Sequence, residues 1–222
     1  MSFDPAVEQK VGDVMTAEVN VASGRQPLEQ CLRTMMDKHF RHLPVLGTGG
    51  KIDAILSMRD VCKALVERFE ADKAKRPVAT LGDVVENSTL NEAPHGSSVG
   101  DVVKAMRASH TGSTVIPIDA GAAARGQAFG IFTERDFLHL LASETDGARA
   151  WDAPVVEHMT AGGELVWAEP SFLLADALTL INAKGFRNLP VVRAHEEGTS
   201  LAPPTLRAVL SMQVLVAHAV WP

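Results

Sequence analysis

Tyrosine is absent from this 222-residue chain, and cysteine occurs only as Cys31 and Cys62. The first absence removes tyrosyl chemistry. The second removes both a disulfide framework and a Cys-rich zinc site. Both cysteines fall in helix-like apolar patterns, which points to buried small hydrophobes. Positive charge is in deficit, with 21 Lys and Arg against 27 Asp and Glu, a net charge of −6. A broad nucleic-acid footprint and a polybasic membrane patch are thereby excluded. Apolar runs are short and interrupted, AVLSMQVLVAHAVW (208–221) being typical, and none reaches the ~20 residues of a membrane span. The opening MSFDPAVEQKVGD holds no apolar signal core, so a cytoplasmic location is expected. GxxxxGK[ST], HExxH and GxSxG are all missing. The histidines, among them His39, His42, His139, His158, His195 and His218, form no convincing ligand pair on one element. No metal, no catalytic residue and no enzymatic activity are expected, because no nucleophile is matched to a base.

What remains is ordinary for a globular protein: 46% hydrophobic and 22% charged residues, enough for one or two domains with a core. The informative feature is a threefold internal repeat. HFRHLPVL (39–46), HTGSTVIPI (110–118) and GFRNLPVV (185–192) each centre on a proline. Pro44, Pro117 and Pro190 are separated by two equal steps of 73 residues.

A helical segment precedes each proline pattern. Its apolar face reads Leu28, Leu32, Met35, Met36 in the first repeat and Val99, Val102, Val103, Met106 in the second. In the third it reads Leu174, Ala177, Leu178, Ile181. This spacing predicts amphipathic helices. Short β-like stretches lie upstream, VNVA, TLNEA and ELVWA. A second strand and a second helix follow, at DAILSMRDVCKALV (53–66), FGIFTERDFLHLLA (129–142) and RAVLSMQVLVAHAV (207–220). Each repeat is therefore strand, helix, strand, strand, helix, an α/β fold of α+β type. The loop AHEEGTSLAPP in the third repeat is expected at the surface. VERFEADKAKRPVA (66–79) reads as a charged helix ending before Pro77, a spacer between the first repeat and the rest. Trp151, in the turn-rich connection SETDGARAWDAP, is expected in a groove between repeats or on a partner.

These motifs resemble the cystathionine-β-synthase (CBS) domain family. The marks are DVMT (13–16), EHMT (157–160), RHLPV (41–45), RNLPV (187–191), GIFTERD (130–136) and AILSMRD (54–60), covering about residues 11 to 220. The resemblance implies three tandem CBS units, at 11–70, 79–145 and 152–221. Units two and three resemble a Bateman module, paired about a pseudo-two-fold axis. Unit one resembles the second member of such a pair and lacks its partner. An unpaired unit would leave a large apolar patch in water, so a homodimer with unit one as a contact is expected. The alternative is that unit one caps the other two within its own chain.

At the start of each repeat's last helix stands [ST]-x-x-D: Ser57 with Asp60 and Thr133 with Asp136, while Ser211 faces Val214. Locally this is close to a capping box, hydroxyl and carboxylate satisfying first-turn N–H groups. The same pair can also hold the two hydroxyls of a ribose, with the helix start favouring a phosphate. The resemblance implies the ribose role, best matched at Thr133 and Asp136. Ser57 and Asp60 come next, with Ala54 in place of the glycine seen at Gly130. Arg135, Arg59, Arg41, His42 and Arg187 are the candidate phosphate contacts. Arg187 is expected to serve Thr133 and Asp136 across the pair. Val19, Val21, Val166 and Trp167 are candidates for an adenine slot or, more simply, core.

The expected function is a regulatory module that binds AMP, ADP, ATP or S-adenosylmethionine and signals to a separate effector protein. A ligand-free scaffold or dimerisation module is the other reading.

Overall fold

A computed structural model describes residues 10–85, 90–118, 129–143, 147–193 and 205–221. The loop 194–204 with His195, and part of the connection around residue 145, lie outside the described residues. Two compact units divide at Val61 and Cys62.

The first compact unit opens with α1 (Val11–Val14), followed by β1 (Ala22–Ser23) and α2 (Leu28–Asp37). β2 (His42–Leu46) and β3 (Ile52–Ser57) then form an antiparallel pair, with β1 added parallel to β2. α2 buries Cys31, Leu32 and Met35, and these join Ala22, Leu43, Met58 and Val61 as buried apolar residues. Leu28, expected on the buried face, is 44% exposed, and Cys31 is the core residue of that first turn.

α3 (Met58–Ala71) begins in the first unit and ends in the second. It stops at Ala71, before Pro77 as expected, and a 3-10 turn Lys73–Lys75 follows, capped by the Asp72 carboxylate. Lys73 and Lys75 of the turn are charged, but Leu65, Val66 and Phe69 of α3 are buried. Cys62 is fully buried, and its thiol donates to the Leu178 carbonyl at 3.8 Å.

The second compact unit continues with α4 (Leu81–Val85), α5 (Val99–Ala108), β4 (Ser113–Pro117), β5 (Phe129–Thr133), α6 (Glu134–Ser143) and α7 (Gly147–Asp152). β6 (Thr160–Ala161), α8 (Leu174–Lys184), β7 (Asn188–Arg193), β8 (Thr205–Ser211) and α9 (Met212–Val220) complete it. One antiparallel sheet is β4-β5-β6 and a second is β7-β8. The predicted helix faces are buried here: Val99, Val102 and Met106 on α5, and Leu174, Ala177, Leu178 and Ile181 on α8.

The register corrects the proline arithmetic. Pro44 stands opposite Ile55 and Pro190 opposite Val209, each two residues before the junction serine. In the second repeat that place belongs to Val115, opposite Ile131, while Pro117 ends the strand opposite Phe129. From Pro44 to Val115 is 71 positions, and from Val115 to Pro190 is 75. The backbone explains the exchange. Val115 N–H donates to the Asn91 carbonyl at 2.9 Å, a bond for which proline has no N–H.

The second and third repeats exchange lead-in arms. Leu81 N–H donates to the Phe172 carbonyl, and Leu174 N–H returns to the Ala79 carbonyl, both at 2.9 Å. The other half is the same bond set: Val155 N–H to the Ser97 carbonyl at 3.1 Å, and Val99 N–H to the Ala153 carbonyl at 2.9 Å. Leu81, Val99, Val155 and Leu174 are all fully buried in consequence. The sheets meet as well, Val115, Phe129 and Ile131 clustering with Val192, Leu206 and Val209.

Candidate functional site

Each strand-to-helix junction is a hydrogen-bonded turn. At β5–α6, Thr133 N–H and the Thr133 hydroxyl both donate to Asp136 Oδ2, at 2.8 and 2.7 Å. Asp136 N–H donates back to Thr133 Oγ1 at 3.4 Å. At β3–α3, Ser57 N–H and hydroxyl donate to Asp60 Oδ2 at 2.8 and 2.6 Å, and Asp60 N–H returns to Ser57 Oγ at 3.3 Å. At β8–α9 the acid is missing, and only Val214 N–H to Ser211 Oγ, at 3.3 Å, remains.

Two further helices carry the same arrangement. Thr80 donates through N–H and hydroxyl to Asp83 Oδ2 at 2.7 and 2.9 Å. The Ser98 hydroxyl donates to Asp101 Oδ2 at 2.9 Å. Neither stands at the end of a described sheet strand. Capping alone therefore suffices to form the turn. What sets Thr133 and Asp136 apart is position: both are half-buried at the end of a central strand, whereas Asp60, Asp83 and Asp101 are exposed. Hydrogen bonds from Thr80 hold the Asp83 carboxyl below its ordinary value. The Ser98 hydroxyl does the same for Asp101, with help from the Lys104 ammonium.

The cationic candidates divide among the junctions by backbone position. Arg59 and Arg135 lie in the first turn after Ser57 and Thr133, and both are exposed. The Arg41 carbonyl accepts Met58 N–H at 2.9 Å and the Arg187 carbonyl accepts Met212 N–H at 2.7 Å. Arg41 thus borders the first junction and Arg187 the third. At the second, Gly112 takes that place, its carbonyl accepting Glu134 N–H at 3.2 Å. His42, Ser113 and Asn188 are the residues directly across the strand pair from Ser57, Thr133 and Ser211. His42 is exposed and Val166 half-buried. Val19, Val21 and Trp167 are 50%, 44% and 45% exposed, which excludes the core role weighed for them.

A polar cluster beside the second junction was not found in the sequence. Asn91 Nδ2 donates to Thr111 Oγ1 at 3.0 Å, Thr114 Oγ1 at 2.6 Å and the Ser113 carbonyl at 3.3 Å. The first and third repeats place Phe40 with Leu43 and Phe186 with Leu189 at the Thr111 and Thr114 positions. Buried polar groups are tolerated only when bonded, and Thr114, 1% exposed, is bonded here. The signal was Asn91 itself, which repeats Asn20 within VNVA and LNEA. Trp151 also finds its place within the second repeat. It meets Phe137 edge-on at 5.8 Å, lies 5.8 Å from Lys104 Nζ and covers Gly100 of α5. Among the described residues no group of three His, Cys, Asp or Glu could hold a metal, and no helix is long and apolar enough to cross a membrane.

The family model described as CBS domain matches residues 11–67. Protein MJ1225 of Methanocaldococcus jannaschii is 21% identical over 143 residues, 64% of this chain and 46% of that protein. Its crystal structure, described as that of a proposed archaeal homolog of g-AMPK, covers 94% of this chain and 69% of its own at a TM-score of 0.74 and 18% identity. An uncharacterized conserved protein of Pyrococcus horikoshii covers 92% of this chain and 80% of its own, at a TM-score of 0.64 and 19% identity. The CBS-domain-containing protein ATU1752 of Agrobacterium tumefaciens covers 63% and 98%, at 0.50 and 22%. The chain spans less than half the length of the curated relatives it matches. The CBS-domain model thus matches residues 11–67, and the chain as a whole shares the fold of these neighbours.

Proposed function

We infer that this chain is a regulatory sensor, with no catalytic activity of its own, that binds an adenosine ligand at the β5–α6 junction. The observation that carries the reading is the half-buried Thr133–Asp136 pair at the end of a central strand, with Arg135 between them. A carboxylate has about four lone-pair sites. Asp136 Oδ2 accepts from Thr133, which leaves acceptor capacity on the carboxylate for a ribose hydroxyl. The adjacent helix start and Arg135 suit a phosphate. Ser57, Asp60, Arg59, Arg41 and His42 form a second, more exposed set. Arg187 and Val166 would complete the first from the third repeat. S-adenosylmethionine, with the same adenosine group, belongs to the same proposal.

Domains at 11–70, 79–145 and 152–221 fit this reading, the last two as a Bateman-type pair. The reciprocal bonds of Leu81, Leu174, Val155 and Val99 support the pairing. Ligand in the pair would shift its conformational equilibrium by its differential affinity for two states, and an effector protein, cytoplasmic like the sensor, would read the shift.

The same turn at Thr80–Asp83 and Ser98–Asp101 favours a second reading, a ligand-free scaffold. A thermal-shift panel with AMP, ADP, ATP and S-adenosylmethionine, with and without magnesium, separates them. Ligand at 100 times its Kd adds about 2.7 kcal/mol, a rise of roughly 5–10 °C for a chain of this size. A rise with one ligand, lost in Asp136→Ala, is the expected result. No shift with any of them on folded protein would leave the scaffold.

A further inference from the structure

The three strand-to-helix junctions share one backbone frame and carry different charge. In each, the first helical residue donates its N–H to the residue just before the facing strand. Met58 donates to the Arg41 carbonyl at 2.9 Å, Glu134 to Gly112 at 3.2 Å and Met212 to Arg187 at 2.7 Å. The frame fixes two matching places in every repeat. Arginine, glycine and arginine fill the place on the strand start, and methionine, glutamate and methionine the place on the helix start. The second junction has lost a cation at one place and gained an anion at the other.

The surroundings sharpen the contrast. Met58 and Met212 are buried, at 3% and 4% exposure, whereas Glu134 is exposed and its carboxylate reaches solvent. The first junction sets Arg41 and Arg59 against Asp60. The second sets Arg135 against Glu134 and the half-buried Asp136. Directly across from Thr133 stands Ser113, where the first repeat has His42 across from Ser57. The Ser113 carbonyl and the Thr111 hydroxyl both accept from Asn91 Nδ2, at 3.3 and 3.0 Å. Neutral polar groups therefore line this strand start.

A ribose on Thr133 and Asp136 leaves the 5′ substituent of the nucleoside to face these charges. One phosphate brings about −1.5 to −2, and each further phosphate adds to it. Polyphosphate is held by arginine forks, and like charges brought together select against a ligand as surely as contacts select for one. Even with Arg187 offered from the third repeat, two arginines only balance Glu134 and Asp136. We propose that the second junction selects an adenosine ligand with at most one phosphate and rejects the di- and triphosphates, with Gly112 and Glu134 as its specificity-determining residues. The proposal rests on the reading of Thr133 and Asp136 as a ribose site. A 5′ monophosphate and a cationic sulfonium both meet the condition, and AMP and S-adenosylmethionine represent them.

Calorimetric titration of the full chain without magnesium tests it, with AMP, S-adenosylmethionine and ATP as titrants. Repeating each titration on Asp136→Ala assigns binding to the second junction. AMP, S-adenosylmethionine or both should bind there, and ATP should bind there about tenfold or more weakly, the worth of one charge-assisted contact. The double variant Gly112→Arg, Glu134→Met gives the second junction the residues of the first. Gly112 is not among the glycines with positive φ, and Arg41 and Arg187 already hold the same place, so the backbone accepts the change. Its ATP affinity should rise about tenfold or more. Gly112→Arg by itself should move it the same way, which covers a double variant that fails to fold. ATP bound at the second junction as tightly as AMP and S-adenosylmethionine would overturn the proposal. So would an unchanged ATP affinity in the folded variants. If no titrant binds, or all bindings survive Asp136→Ala, the ribose reading falls and the proposal falls with it.

Discussion

The Thr133 hydroxyl donates to Asp136 Oδ2 at 2.7 Å, as the Thr80 hydroxyl donates to Asp83 Oδ2 at 2.9 Å. The two helix starts share a hydrogen-bond pattern and differ in their surroundings. Asp83→Ala should therefore cost only a cap, about 1 kcal/mol of unfolding free energy, and leave adenosine-ligand affinity unchanged. Asp136→Ala should cost a similar cap and also abolish the ligand-induced thermal shift. Calorimetric titration of both variants beside urea unfolding checks the pair. Equal affinities would remove the ribose role from Asp136.

Acid should destabilise the second compact unit partly through Asp83 and Asp101. Hydrogen bonds from Thr80 and Ser98 lower both carboxyls in the folded protein. The unfolded chain then binds protons more readily, so stability rises with pH through the carboxylate range. The contribution is complete above the unfolded aspartate value and is lost as pH falls through the lowered folded values. Both groups face solvent, so added salt should shrink the Lys104 part of it. Melting temperature measured between pH 2 and 6 should show a shallower acid limb in Asp83→Asn and Asp101→Asn. A limb as steep as that of the unaltered chain would contradict this.

Gly100 and Gly130 are both covered, by different partners. A Cβ on Gly100 would run into the Trp151 indole, 2.6 Å from Cδ1 and 2.7 Å from Cε2. A Cβ on Gly130 would meet the Met159 thioether, 2.8 Å from Cε and 2.9 Å from Cγ. The indole is rigid and also meets Phe137, whereas the Met159 end can turn aside. Gly100→Ala should therefore destabilise, by about 1–3 kcal/mol of overpacking set against the ~1 kcal/mol helical preference of Ala. Gly130→Ala should cost less, in keeping with Ala54 and Ala208 at the matching places. Urea midpoints of the two variants should fall in that order.

Periodicity carried most of the architecture, because α5 and α8 each bury a whole face against neighbours in the same compact unit. It failed at Leu28, where the spacing is right but the side chain is 44% exposed. Local pattern cannot report whether a partner surface is supplied. The prolines misled for a related reason. Pro117 repeats the letter of Pro44 and Pro190 but ends its strand, and the equivalent place is held by a valine that makes the extra N–H bond. Helix stops were half legible. Gly185, at φ 75°, is the kind of residue that commonly ends a helix left-handed, while His39 and His110 take the same turn at φ 56° and 53° without a glycine to announce it. At the candidate site the hydroxyl–acid pairs were visible. The Asn91 cluster was not, since its partners Thr111 and Thr114 lie 20 and 23 residues away.

Leu28 and Leu174 hold the same place in the first and third repeats with opposite surroundings, 44% exposed and fully buried. Leu174→Ala removes a fully buried side chain at the start of α8, at a cost of about 2–5 kcal/mol. Leu28→Ala should stay within about 0.5 kcal/mol of the unaltered protein, as surface substitutions do. Urea unfolding of the two variants checks the contrast. Equal costs would show that Leu28 is covered in the folded protein as Leu174 is.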